Sequence, residues 1–339
     1  MTSITGFEAS SSRIVIYRPR VAGFALFAIL CLSIIGLEPL SGGTKPIPFT
    51  GAGDVFRQLA YFCVFGLAFV GLRVVQNLRQ VFVFSISLCI LLAWCWLSLA
   101  WAIEPSIAIR RLILTTMLMW LIFLCVEHAG FELTTDMARA VLIITLVLNY
   151  IAVAISPIAV HQIADVADPN LVGNWRGVMA QKNFAGAVSA LLIIFCLFGD
   201  TVKRPWVRWL IALAAAYFLY RSSSKTSMGI LAPAIAVGWI YFAFGAKYRR
   251  ILIPAIALLA GIAILMLQGD NNPLAAIFNR PDGLTGRVQI WPVLLAYSSD
   301  HPWFGSGFGS FWNIGSDSPV FWYSRTWVSE IANGHNGYL

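Results

Sequence analysis

Charge is the scarcest thing in this sequence: 11% of its 339 residues are Asp, Glu, Lys or Arg, while 59% are hydrophobic. Soluble domains carry about 25% charged residues, so this composition excludes an ordinary water-soluble domain and makes lipid the solvent for most of the chain. Paired cysteines are missing too. Cys31, Cys63, Cys89, Cys95, Cys125 and Cys196 all fall in apolar stretches, with no CxxC pair. A disulfide framework and a structural zinc site are thereby excluded. No Asp-x-Asp, HExxH or GxSxG is present, which leaves metal-dependent sugar transfer, zinc hydrolysis and serine esterase chemistry without residues to carry them. Nor does any basic run sit in a polar, foldable segment, so the net charge of +8 does not point to nucleic acid. No internal repeat or low-complexity tract divides the chain, and residues 1–339 read as one domain. Arg13, Arg18 and Arg20 precede the first apolar run, but no small-residue cleavage site follows, so that run is a retained span rather than a signal peptide.

What the sequence has in abundance is apolar runs. A bilayer core needs about 20 apolar residues per helix, and such runs lie near 21–38, 55–72, 80–102, 109–126, 138–156, 183–199, 206–220, 227–246 and 250–268. The expected fold is an all-α, polytopic membrane helix bundle of about nine spans. Lys and Arg in short connections set the orientation: Arg73 and Arg79, then Arg139, then Lys203, Arg204 and Arg208, then Lys247, Arg249 and Arg250 mark alternate connections. With the N-terminal arginines, these are expected to be cytoplasmic. The opposite loops, 39–54, 103–108, 157–182, 221–226 and the long segment 269–339, then face outward, into the periplasm of a Gram-negative cell. That last loop is rich in Gly, Pro and Trp and holds a candidate amphipathic helix around Val288–Tyr297.

Outward loops should be poor in cations, yet Arg57, Arg110, Arg111, Arg176, Lys182, Arg221, Lys225, Arg280, Arg287 and Arg325 fall there or at outer helix ends. Basic side chains beside a membrane are costly unless they face a cavity or meet an anion, and a phosphate or diphosphate suits a cluster of them. Pairing with lipid head groups is the plainer account of Arg57, Arg110 and Arg111. Aromatic belts at the interface account for Trp303, Trp312, Trp322 and Trp327 more simply than sugar stacking does. His301 precedes Pro302 at a helix exit and reads as structural. The run Gly305-Ser306-Gly307-Phe308-Gly309 lacks the preceding strand and following Lys-Ser/Thr of a phosphate loop, so turn geometry is the better account.

The last outward loop reads Gly283-Leu284-Thr285-Gly286-Arg287-Val288-Gln289-Ile290-Trp291, then His301-Pro302-Trp303-Phe304-Gly305-Ser306-Gly307-Phe308-Gly309-Ser310-Phe311, and ends at His335-Asn336-Gly337-Tyr338-Leu339. This order of TGR-x-x-IW, HPWFGSGFGSF and HNGYL resembles the O-antigen ligase and polymerase superfamily, exopolysaccharide polymerases included. Upstream, the stretch from Arg176-Gly177 through Lys182-Asn183 to Gly186 resembles that family's RG-x-x-x-x-KN-x-x-G loop. Ser222-Ser223-Ser224-Lys225-Thr226 resembles its S-x-S-(R/K)-T turn. The resemblance spans roughly the C-terminal half. Trp101-Ala102-Ile103-Glu104-Pro105 is similar as well, though short.

The resemblance implies an enzyme that takes a glycan from an undecaprenyl diphosphate carrier and passes it to an acceptor hydroxyl at the outer face of the bacterial inner membrane. Inversion is expected, with neither metal ion nor nucleotide sugar and no cofactor. Arg287 with a second cation would stabilise the departing diphosphate, and His335, with an ordinary pKa of about 6.5, would be the general base. Arg176, Lys182, Arg221, Lys225 and Asn336 are the expected substrate-binding residues. The implied partners are the lipid-linked oligosaccharide, membrane lipids, a chain-length regulator and a flippase.

Three departures stand out. Lys225 occupies a position where many ligases have Arg, with Arg221 one helical turn earlier. Gln181 stands where members often have His. Family members also continue past the HN-x-x-L element into further spans, so the chain is expected to be a fragment, a truncated product or an inactive remnant. A polymerase joining lipid-linked repeat units is the first expectation. A ligase with a lipid A-core acceptor is its relative, and a secondary transporter or flippase for an anionic substrate is the alternative from another class. Transporters place ionisable groups or broken helices at the midplane; here the spans are nearly free of charge and the cations gather at one face.

Overall fold

The computed structural model describes residues 5–37, 54–76, 81–162, 171–199, 204–266 and 287–330. Among them the fold is all-helical, with one isolated bridge between Val160 and Trp175 and no strand. In hydrocarbon every backbone polar group must be satisfied within its own segment, and a helix does this unaided. The elements are α1 (Thr5–Ile34), α2 (Val55–Gly71), α3 (Ile86–Leu97), α4 (Pro105–Ile155), α5 (Lys182–Phe198), α6 (Pro205–Ser222), α7 (Lys225–Ala243), α8 (Ala246–Met266), α9 (Arg287–Asp300) and α10 (Val320–Tyr323).

Two of these, α4 and α7, are both long and apolar enough to cross a membrane; Val55–Gly71, Ile86–Trp101 and Lys182–Phe198 are apolar but shorter. The structure thus gives two clear span candidates among the described residues where the sequence led us to expect about nine. Part of the difference lies in α4, which contains both the 109–126 and 138–156 runs. Its 51 residues are interrupted at Gly130, where the backbone leaves the helical region (φ 75, ψ 172). The break falls in a polar stretch holding Glu127, His128, Glu132 and Asp136, so two apolar segments are read as one element across a kink.

The chain forms two compact units. In the first, residues 1–46, 53–94 and 110–228, α1 and α2 pack against the early part of α4: Ala22, Ala25, Leu26 and Ile29 meet Ala68, Leu72, Leu121, Leu124 and Cys125. Spacings of three and four residues put each set on one helix face. Asp54 caps α2, its carboxylate accepting from the amides of Phe56 and Arg57 at 2.9 and 3.2 Å, which quenches donors that a helix start leaves open. The opposite faces carry large apolar groups outward, Phe56 (78% exposed) and Val70 (74%) among them, a surface suited to lipid and not to water.

The second hairpin of this unit, α5 and α6, is its most closely packed helix pair, and it positions the candidate site. Gly186 permits this approach: a Cβ there would stand 2.4 Å from Ser224 Cβ. Ser224 lies just after α6 and is fully buried.

In the second unit, residues 47–52, 95–109 and 229–339, the expected amphipathic helix is present as α9. Ile290, Leu294 and Tyr297 form its buried stripe and pack with Phe311, Val320 and Val328. His301 follows, its ring stacked on Tyr297 at 4.3 Å and its Nδ1 3.2 Å from the Tyr297 carbonyl oxygen. The Tyr323 hydroxyl donates to Asp300 Oδ2 at 2.7 Å. That bond, aided by desolvation and the carboxylate's charge, pushes the Tyr323 pKa up to about 12.

Two tests follow from this packing. Gly186→Ala forces α5 away from the turn after α6 and is expected to cost on the order of 1–3 kcal/mol, read as a lowered Tm in detergent; an unchanged Tm would refute the close approach. For Tyr323, a folded pKa above the unfolded value of about 10 means the bond stabilises the unit fully below pH 10. That stability is lost as pH rises from about 10 through about 12. Phenolate absorbance of the protein minus that of Tyr323→Phe should show one tyrosine ionising near pH 12, and Asp300→Asn should bring it back towards 10.

Candidate functional site

The site is built at the end of the first unit where α5 begins, α6 ends and the segments 157–162 and 171–181 meet. Arg176 is its centre. The side chain is fully buried, with Nε donating to the Ile158 carbonyl at 2.6 Å and Nη1 to that of Ala180 at 3.3 Å. The amides of Arg176 and Gly177 both donate to the Ala159 carbonyl, at 2.9 and 3.0 Å. One residue thus ties the incoming and outgoing arms of the loop. Gly177 has φ +61, and a Cβ there would lie 2.2 Å from Asn149 Oδ1, so both its conformation and its neighbour require glycine. Asn149, fully buried on α4, accepts from the Val178 amide at 2.9 Å.

Lys182 opens α5 and is 8% exposed, with Nζ 3.4 Å from the Ser223 carbonyl. Asn183 Oδ1 accepts from Ser224 Oγ at 3.2 Å, and Ser224 Oγ is 2.9 Å from Ser227 Oγ. Ser223 ends α6 in the left-handed region (φ 48, ψ 36), reversing the chain so that α7 starts two residues later. The serine turn therefore serves mainly as a bracket, holding the starts of α5 and α7 side by side.

Arg221 and Lys225, at either end of this turn, are exposed. Arg221 places its guanidinium carbon 4.7 Å from the Trp175 ring centroid, while its carbonyl accepts from the Trp175 amide at 3.0 Å. Trp175 is wedged edge-to-face against Tyr150 at 6.1 Å and Tyr217 at 5.8 Å, and tilted on Phe218 at 5.5 Å. Two helix N-termini, which favour negative charge, and two exposed cations make this end fit to hold an anion.

In the second unit, Arg287 is the first residue of α9; its side chain, with His335, Asn336, Arg280 and the start of the TGR motif, lies outside the described residues. The glycine-rich run is a set of turns, with Gly305, Gly307 and Gly309 at φ 60, 80 and 63. It docks on the Trp101–Pro105 segment. Trp101 Nε1 donates to the Phe304 carbonyl at 2.8 Å, the Ile103 amide to that of Ser306 at 3.3 Å, and the Phe308 amide to Ser98 Oγ at 3.0 Å.

Of the residues expected from sequence to bind substrate, the structure thus brings together Arg176, Lys182, Arg221 and Lys225. It buries the first two and exposes the last two. Trp175, Asn149 and Ser98 escaped the sequence reading. The available signals were an aromatic directly before an Arg-Gly pair, and a lone amide within an apolar span. Among the described residues no group of three or more His, Cys, Asp or Glu stands together to hold a metal ion.

Arg176→Met keeps bulk but leaves the Ile158 and Ala180 carbonyls without their donor. The expected cost is on the order of 2–4 kcal/mol, measured as a fall in Tm of the detergent-solubilised chain. Wild-type stability in that variant would show the buried guanidinium to be dispensable.

Compared with known proteins, residues 188–339 match the sequence model of the family described as O-antigen ligase. No curated protein and no solved structure matches the chain. The match covers the serine turn, α7, α8 and α9, the glycine-rich turns and the closing HNGYL, while the Arg176–Gly186 loop and the Trp101–Pro105 segment lie before it. Over residues 188–339, then, this chain is similar to the O-antigen ligase family.

Proposed function

We propose that the chain is a membrane glycosyltransferase of the polysaccharide polymerase kind, moving a glycan from undecaprenyl diphosphate to a lipid-linked repeat unit. The observation that carries this is the family match over residues 188–339. The exposed Arg221 and Lys225 beside two helix N-termini support it. On this reading the protein sits in the bacterial inner membrane with about nine spans, a cytoplasmic N-terminus and the site facing the periplasm. The apolar outward faces of α2 and α7 are its lipid contacts.

In the proposed reaction the acceptor hydroxyl oxygen attacks the anomeric carbon, and the bond from that carbon to the diphosphate oxygen breaks with its electron pair going to the leaving group. His335 takes the hydroxyl proton. Arg287 neutralises the charge that grows on the diphosphate, where a preorganised cation is worth most, and Arg221 and Lys225 are the exposed substrate-binding cations of the first unit. Lys182 and Asn336 complete the substrate-binding set, and Arg176 acts through the loop it holds. A chain-length regulator and a flippase are the partners such a polymerase would need. The family description favours a second reading, a ligase with the same donor and a lipid A-core acceptor.

The test is complementation of cells lacking the native gene with the protein and with its Arg287→Ala and His335→Ala variants. The unaltered protein should restore long surface polysaccharide, and each variant should lower it by at least 100-fold, with lipid-linked single units accumulating outside the membrane. A variant that still builds polymer would remove that residue from the chemistry. Normal polymer lengths with uncapped lipid A-core would shift the reading to the ligase.

A further inference from the structure

We infer that Trp175 is a positioning residue that holds the Arg221 guanidinium as a preformed grip for a diphosphate; this deepens the proposed function and rests on it. A guanidinium stacked on an indole spends its π face on the ring while its five N–H donors point outward in its own plane. The stacking distance of 4.7 Å is within the cation–π range, and Arg221 remains exposed, so those donors stay available. Trp175 is itself packed against Tyr150, Tyr217 and Phe218, and the hydrogen bond that its amide N–H donates to the Arg221 carbonyl ties both partners at the backbone. A free arginine would lose rotamer freedom on gripping an anion; here much of that ordering is already in place. Lys225, on the same turn, supplies a hydrated point charge without a fork.

The experiment is a double-mutant cycle on the full chain in phosphatidylcholine nanodiscs, with inorganic diphosphate binding read by calorimetry. Trp175→Leu should weaken binding on the order of three- to tenfold, and Trp175→Phe by less. In an Arg221→Ala background the same Trp175 changes should alter affinity less than twofold. Equal losses with and without Arg221 would assign Trp175 a merely structural role and overturn the inference, as would unchanged affinity in Trp175→Leu or no diphosphate binding by the wild type. If Trp175→Leu does not fold, Trp175→Phe and Trp175→Tyr carry the cycle. Polymer formation in cells is scored separately: coupling without polymer would sink the reaction and leave the grip, and polymer without coupling would do the reverse.

Discussion

The burial of one guanidinium sets the shape of this end of the protein. Arg176 is the largest fully buried side chain among the described residues. A charge taken out of water is tolerated only where hydrogen bonds replace its hydration. Its donors reach the carbonyls of Ile158 and Ala180, residues on opposite arms of one loop, so satisfying the charge closes the loop. Once closed, the loop can present Trp175 only against the end of α6. The positive φ of Gly177 and the Asn149 contact follow from the same closure, because they bring the next amide onto α4.

The same reasoning extends to the helices around it. With so few charges, the outer faces cannot be made polar, and α7 leaves none of its apolar span buried. Lipid supplies the missing partner for those faces in the proposed setting. Inter-helix contact must then come from close packing and local polar links in place of a hydrophobic drive. The Gly186 approach and the Ser224 bridge to Asn183 are links of that kind, concentrated where α5 and α6 hold the loop.

Much of this was legible in the sequence, and what was not has identifiable reasons. Helical class followed from apolar run length, and the amphipathic stripe of α9 from the spacing of Ile290, Leu294 and Tyr297. The likeness to the O-antigen ligase family over residues 188–339 was legible because the motifs that carry it are glycine-, arginine- and aromatic-rich in a fixed order. The runs 109–126 and 138–156 were legible as separate segments, and the structure separates them at Gly130, where the backbone leaves the helical region. Arg176 and Arg221 looked alike as outward cations, because exposure depends on which carbonyls the folded loop offers. Trp175 was missed for the converse reason, as its meaning comes from Tyr150 and Phe218, far away along the chain. The Trp101–Pro105 segment gained its meaning only when the glycine turns some 200 residues later (|i−j|=203 for Trp101 and Phe304) were found bonded to it.

The replacement of Arg by Lys225 in the serine turn becomes intelligible on this geometry. A lysine at the start of α7 sits at the positive end of the helix dipole, and its four-carbon stem lets the ammonium reach an anion without the fixed plane of a guanidinium. A fork is most useful where its orientation is fixed, and the fixed position is one turn earlier, over Trp175. The left-handed Ser223 lets both coexist by turning the chain between them. In the proposed function the turn thus divides the work: the Arg221 guanidinium over Trp175 offers a planar fork, while the exposed Lys225 offers a point charge. For the diphosphate donor of the proposed function, a fork of fixed plane and a point charge are complementary ways to meet the same anion.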